Sequence, residues 1–179
     1  MADVPCLFTE RLLLRPLTVE DDSWFIPLHQ HPDVMQFSLR GILSEEVAHK
    51  IIEGAIRSYE VRGYGIMGCY VRDSLRPIGF CGVCLRELEG QLYPELGYRL
   101  FPEFWAQGYA TEAASIVKAD VFERLRLPQI FSFIDPKNSR SIRVAEKIGE
   151  RFAFHSYYYD LLLAIYTAYN PHLALQMVS

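Results

Sequence analysis

Apolar and polar residues recur with two different periods along this chain, and the places where the period changes mark its elements. RLLLRP, Arg11 to Pro16, is the short apolar run of a strand. Thr18 then offers an N-cap oxygen to a helix that opens on Glu20, Asp21 and Asp22 and fades at His31-Pro32. Ser44 caps a second helix, in which Val47, Ile51, Ile52, Ala55, Ile56 and Tyr59 recur at helical spacing and Gly63 stands where the helix must stop.

From Tyr64 the period shortens. GIMGCYVR, PIGFCGVCLREL and YPELGYRLF are rich in aromatic and β-branched residues and are separated by DSLRP and EGQ, which predicts three antiparallel strands on tight connections. An alanine-rich run follows, with Ala110, Ala113, Ala114, Val117, Val121 and Leu125 on one face and Pro128 closing it, a helix of about four turns. QIFSFI is a strand, DPKNSRSIRVAEKIG a helix with Ile142, Ala145 and Ile148 inward, and RFAFHSYYYDLLLAIYTAY a hairpin turning near Tyr158 to Asp160 without Gly or Pro to mark it. The order β-α-α-β-β-β-α-β-α-β-β predicts an α+β fold: seven strands in a mixed, mostly antiparallel sheet with helices on both faces.

Composition narrows the possibilities. The chain has 179 residues, half of them hydrophobic, which suits one domain over 1–179. A net charge of −4 with scattered lysines and arginines gives no basic stripe for nucleic acid or anionic lipid. LLLAIYTAY is too short for a membrane span of about 20 residues, and MADVPCLFTERLLLRP mixes charges among its apolar residues, unlike a signal peptide. A cytoplasmic protein is expected. Cys81 and Cys84 form a C-x-x-C, but three positions apart on a strand they face opposite ways, and neither Cys6 nor Cys69 adds a second ligand pair. Buried cysteine is the expectation, and no metal.

Chemistry concentrates in FWAQGYATEA, Phe104 to Ala113, where a glycine precedes the alanine-rich helix. First-turn amides of a helix have no internal partners and carry partial positive charge, so a pyrophosphate could be held there without lysine. A plain turn explains the same glycine. The motif in its setting, ELGYRL before it and QIFSFI and NSRSIRVAEKIG after it, resembles the GNAT acyltransferase superfamily, in the branch of the ribosomal-protein alanine N-acetyltransferases. The usual sequence there is W-G-x-G-Y-A-T-E-A, with N-x-x-S-x-x-x-x-E-K-x-G downstream. The resemblance runs from TERLLLRPLT to the last strand.

The resemblance implies acetyl-CoA as acyl donor, its pyrophosphate on backbone amides of Trp105, Ala106, Gln107, Gly108, Tyr109 and Ala110, with Thr111 in the same turn. It implies a pantetheine arm paired with Arg99, Leu100 and Phe101, and Asn138 and Ser141 near the thioester sulfur. Three positions depart from the pattern: Ala106 replaces the second glycine, Ala145 stands where many relatives carry an acidic tyrosine, and Glu150 stands where Phe usually follows Gly149.

Acetyl transfer to an amine needs a neutral nucleophile, an oxyanion donor and a proton for the departing thiolate. A backbone amide near Leu100 or Phe101 suits the oxyanion. Ser141, one helical turn after Asn138, is the candidate proton donor, and a hydroxyl bonded back to its own helix is the alternative. Glu95 is the candidate base, on one strand face with Gly97 and Arg99; an ion pair with Arg99 is its alternative. Glu112 reads as a first-turn acid of structural use, His155 and the run Tyr157, Tyr158, Tyr159 as mainly packing, and Trp24, Phe25 and Met35 as the acceptor-side cover found in relatives. The expected activity is acetyl-CoA-dependent acetylation of a primary amine, a protein N-terminus or a small molecule, by direct attack in a ternary complex, in a monomer or homodimer. A non-catalytic CoA-binding module is the rival; a Rossmann-type enzyme lacks its G-x-G-x-x-G.

Overall fold

The long central hairpin sets the register of everything around it. β4 (Pro77–Leu88) and β5 (Gln91–Leu100) are joined by Glu89 and Gly90, whose φ values of 51° and 78° are those of a two-residue turn that matches strand twist. Counting back from Leu88↔Gln91 puts Cys84 opposite Glu95 and Phe80 opposite Arg99. In this computed structural model, which describes residues 5–174, the remaining strands are β1 (Leu7–Phe8), β2 (Leu12–Pro16), β3 (Ile66–Val71), β6 (Gln129–Ile134), β7 (Arg151–Tyr158) and β8 (Leu161–Tyr169). They order as β1-β2-β3-β4-β5-β6-β8-β7. Every pairing is antiparallel except β5 with β6, which meet in parallel at the single pair Glu95↔Phe131.

The sheet thus has one strand more than the seven expected. The addition is β1, two residues long and too short to show a period in the sequence. The end segments 1–4 and 175–179 of the expected single domain lie outside the described residues.

Helices cover both faces. α1 (Asp22–Gln30) stops at His31 as expected, and Pro32 starts a separate single turn, α2 (Pro32–Met35). α3 (Glu45–Arg62) is capped by Ser44, whose Oγ accepts from the Val47 amide at 3.3 Å, and ends on Gly63 at φ 74°. α1 and α3 bury Phe25, Leu28, Ala48, Ile52 and Ala55 against Tyr70 and Phe80 of the sheet. α4 (Tyr109–Glu123) lies on the opposite face, where Ala113, Ala114, Val117 and Val121 pack on Leu12, Leu14, Cys69, Cys81, Leu96 and Leu100. α5 (Ser139–Lys147) follows β6, and α6 (Pro171–Ala174) follows β8.

Cys81 is fully buried on the α4 side while Cys84 lines a cleft on the other, as strand alternation requires. The last hairpin turns at Tyr159-Asp160, and Tyr159 adopts φ 52° with no glycine to ease it. No helix among the described residues is long and apolar enough to cross a membrane.

Candidate active site

Beyond Glu95↔Phe131, β5 and β6 run apart. The gap is the floor of a cleft of about 890 Å³ bounded by β4 and β5, by the loop before α4, by α5, and by α2 and α3. Among the described residues no group of three or more His, Cys, Asp or Glu is placed to hold a metal ion.

The loop is shaped by its backbone. Gly108 is the N-cap of α4 at φ 85°, with no side-chain cap, so the first-turn amides have no capping oxygen and open to the cleft edge. Ala106 also has positive φ, 60°, where glycine would rest without strain. Ala106→Gly is therefore expected to raise the melting temperature by about 2 °C, a gain of under about 1 kcal/mol, measurable by differential scanning fluorimetry.

A second layer holds the loop from behind. Arg11 donates to the Gln107 carbonyl at 3.0 Å, stacks over the Tyr109 ring at 4.3 Å, and pairs with Glu112, which also accepts from Thr9 at 2.5 Å. Burial opposes ionisation of Glu112, but these hydrogen bonds outweigh it and hold the carboxyl below its ordinary range. Glu112 is thus structural, as expected, but as the brace of the loop and not simply as a dipole partner. Trp105 donates its indole N–H to the Leu100 carbonyl at 2.7 Å and carries the Arg140 guanidinium 4.3 Å above its ring, so α5 brings a cation to the loop. Neither Arg11 nor Arg140 was found in the sequence, because their pairing depends on contacts between distant segments.

The exposed edge of β5 can be read from its hydrogen bonds. Phe101 donates its N–H to Ile78 O at 2.9 Å, and a Cβ on Gly79 would overlap the Arg99 carbonyl, so the backbones of Phe101 and Arg99 face β4. Leu96 O accepts from Ser132 of β6 at 3.2 Å and Leu100 O from Trp105, so alternation turns Leu96, Tyr98 and Leu100 into the gap. The side chains of Glu95 and Arg99 then lie on the face of α1 to α3, with Phe80, and those of Tyr98 and Leu100 on the face of α4.

Glu95 is buried and paired with Arg86 and accepts from the Cys84 thiol at 3.7 Å. Its partner is not Arg99, the one the sequence suggested. Arg86 lies on the same face, two positions from Cys84, which faces Glu95 across the ladder. Burial, with the Glu95 carboxylate close by, pushes the Cys84 thiol up to about 12. Of Trp24, Phe25 and Met35, the three residues expected to cover the acceptor side, only Met35 lines the cleft, where His29 joins it; Trp24 and Phe25 are core. His155 is exposed on β7, and of the three tyrosines only Tyr158 reaches the cleft.

On the other face, Asn138 caps α5, its Oδ1 accepting from the Ser141 amide at 3.1 Å. Among the described residues the Ser141 hydroxyl makes no hydrogen bond back to its helix, and it lies beside Tyr98, whose buried phenol has no well-formed partner. Burial pushes that phenol up to about 12, with the Ser141 hydroxyl pulling it back.

Glu150 is buried deeper, 2 % exposed, with neither carboxyl oxygen hydrogen-bonded. The single Ser132 hydroxyl proton is directed at Leu96 O, so the carboxyl is best satisfied carrying its own proton. Burial pushes it up to about 7, against the pull of Ser132 and Lys118. A carboxyl raised in the folded state binds a proton that the unfolded chain has lost, so its stability contribution is full below the ordinary value near 4.5 and is lost as pH rises through about 7. Glu150→Gln should flatten this dependence. Urea midpoints at pH 5 and pH 9 should show the variant more stable at pH 9 by on the order of 3 kcal/mol.

A helix N-terminus with exposed amides, set beside two strands that part, is the arrangement the loop motif called for. The family model of the acetyltransferase (GNAT) domain matches residues 11–151, from the start of β2 to the start of β7. The chain is a GNAT acetyltransferase. The Bacillus subtilis protein YkkB, itself uncharacterized, is 31% identical over 151 residues, covering 82% of this chain and 86% of YkkB. An acetyltransferase from Agrobacterium tumefaciens superposes with a TM-score of 0.82 at 27% identity, over 94% of this chain and 96% of that one. A ribosomal-protein-S5-alanine acetyltransferase from Vibrio fischeri shares the fold, with a TM-score of 0.78 at 13% identity over 93% and 97% of the two chains. As a GNAT acetyltransferase the protein takes its acyl group from acetyl-CoA.

Proposed function

We propose that the enzyme transfers the acetyl group of acetyl-CoA to a primary amine by direct attack within a ternary complex. The observation that carries this reading is the opening of β5 from β6 directly in front of the uncapped N-terminus of α4. A pyrophosphate held on the amides from Trp105 to Thr111 would lay the pantetheine arm into that gap, as an added strand.

The hydrogen bonds of β5 refine which atoms take part. Because Arg99 and Phe101 turn their backbones to β4, the arm would pair with Tyr98 and with the Leu100 N–H, and that N–H is the donor for the developing oxyanion. Glu95, held in its pair with Arg86, would accept the amine proton through water. Ser141, with the Tyr98 phenol beside it, would supply a proton to the departing thiolate. Ala145 leaves its own position without an acid, so this pair takes that part.

Direct attack is supported by Cys84. It is the thiol in the cleft, and with its pKa at about 12 it is a poor nucleophile at neutral pH. The acceptor is a protein N-terminus or a small-molecule amine; a protein acceptor is in keeping with the Vibrio fischeri relative, which is named for an alanine of ribosomal protein S5. Four free cysteines suit the reducing cytoplasm, where we place a single-domain monomer or homodimer. Intact-protein mass spectrometry after mixing with acetyl-CoA alone should show no added acetyl group, and initial-rate lines for the two substrates should intersect. An acetylated protein that hands its acetyl group to an added amine, with parallel lines, would replace this mechanism by a two-step one.

A further inference from the structure

On the cleft wall that holds Glu95 the sheet contributes two arginines, and only one has a partner among the described residues. Arg86 is paired with Glu95. Arg99 stands across the ladder from Phe80, its guanidinium carbon 5.9 Å from that ring's centroid, and no described residue offers it an acceptor within hydrogen-bond or ion-pair distance. The other titratable groups on this wall do not compensate it. His29, stacked 5.5 Å from the same ring, is driven by burial to about 4 and is neutral at pH 7. Asp33, Arg40 and Glu87 line the cleft from exposed positions. Burial in turn pulls the Arg99 pKa below its usual value, with Glu95 and Arg86 acting on it in opposite directions.

Space accompanies the charge. Glu95 and Arg99 project from one face of β5 with Gly97 between them, and a Cβ built on Gly97 would meet nothing within 4 Å. Their Cα atoms are about 13 Å apart along the strand, and two long side chains leaning over an open glycine leave room for a small molecule between a carboxylate and a guanidinium. A desolvated arginine without a counter-charge is costly, and its planar fork matches a carboxylate.

We propose that Arg99 binds a carboxylate of the acceptor, so that the amine substrate is a small amino carboxylate, a free amino acid or a close relative, lying over Gly97 with its nitrogen toward Glu95. This rests on the acetyl-transfer reading for the fate of the amine, but not for its binding. The two are therefore tested separately. Calorimetry on the CoA-saturated protein would compare free α-amino acids, β-alanine and γ-aminobutyrate with the amide of each, with unblocked neutral tripeptide amides, and with phosphoethanolamine. The rate of thiol release would then be measured on the same set.

At least one amino carboxylate should bind about tenfold to a hundredfold more tightly than its amide. Arg99→Met should erase that ratio, chiefly through KM, and Arg99→Lys should restore part of it; CoA affinity, measured on each variant, reports whether the donor side is intact. Amides or tripeptide amides that bind as well as the acids would overturn the assignment, as would a ratio unchanged in Arg99→Met, a preference for phosphoethanolamine, or no binding by any acid. Selective binding of an acid without thiol release would leave Arg99 as a carboxylate site and remove the acetyl-transfer reading instead.

Discussion

Gly108→Val is expected to weaken CoA and acetyl-CoA binding at least about a hundredfold while leaving the protein folded. At φ 85° a β-branched residue is strongly strained, so the backbone at the start of α4 must rotate, and the amides that face the cleft rotate with it. The added Cβ would also lie 3.4 Å from the Arg11 guanidinium, which braces the loop from behind through the Gln107 carbonyl. Gly108→Ala shares the φ penalty without the branching and should fall between the two. Titration calorimetry with CoA, beside circular dichroism to confirm folding, measures both. Unchanged affinity in Gly108→Val would remove the loop from the binding site.

Asp21→Ala is expected to cost about 3–5 kcal/mol of stability. This buried carboxylate accepts both Arg15 guanidinium nitrogens at 2.8 Å, the Tyr70 hydroxyl at 2.6 Å, the Trp24 indole at 2.9 Å and the Thr18 amide at 2.9 Å. Burial pushes its pKa up, but the hydrogen bonds from Arg15, Tyr70, Thr18 and Trp24 together outweigh that and hold it below the ordinary 3.8. Its contribution is therefore present above that value and lost as pH falls through the depressed one. Removing the side chain leaves Arg15 without its counter-charge and Tyr70 without its acceptor where β2, β3 and the start of α1 meet. Chemical denaturation at pH 7 checks the size, and a loss below about 1 kcal/mol would mean water replaces the carboxylate.

Much of this was legible in the sequence because it is local. The caps Ser44 and Gly63, the alternation in PIGFCGVCLREL and the alanine face of α4 each depend on neighbours within a few residues. The hairpin carried more than was taken from it. Once Glu89-Gly90 is a two-residue turn, every pair of β4 and β5 follows by counting, and Arg86 falls on the face of Glu95. Arg99 was the nearer cation in sequence, yet four residues along a strand is farther than the diagonal across a ladder.

What could not be read is what distant segments bring. Arg11 reaches the loop across 96 positions, and Arg140 reaches Trp105 only through the placement of α5 on the sheet. Ala106 and Glu150 did announce themselves as departures, and each proves to be a local conflict: one a left-handed alanine, the other a buried carboxyl without a donor.

The most direct measurement is thiol release from acetyl-CoA, followed in parallel with the mass of the acceptor, across a panel of amines and peptides. Release that requires the amine and matches one acetyl group gained per thiol freed is the expected result. CoA binding that stabilises the protein, with no thiol released above background for any amine, would contradict it and leave a fold that holds the donor without using it.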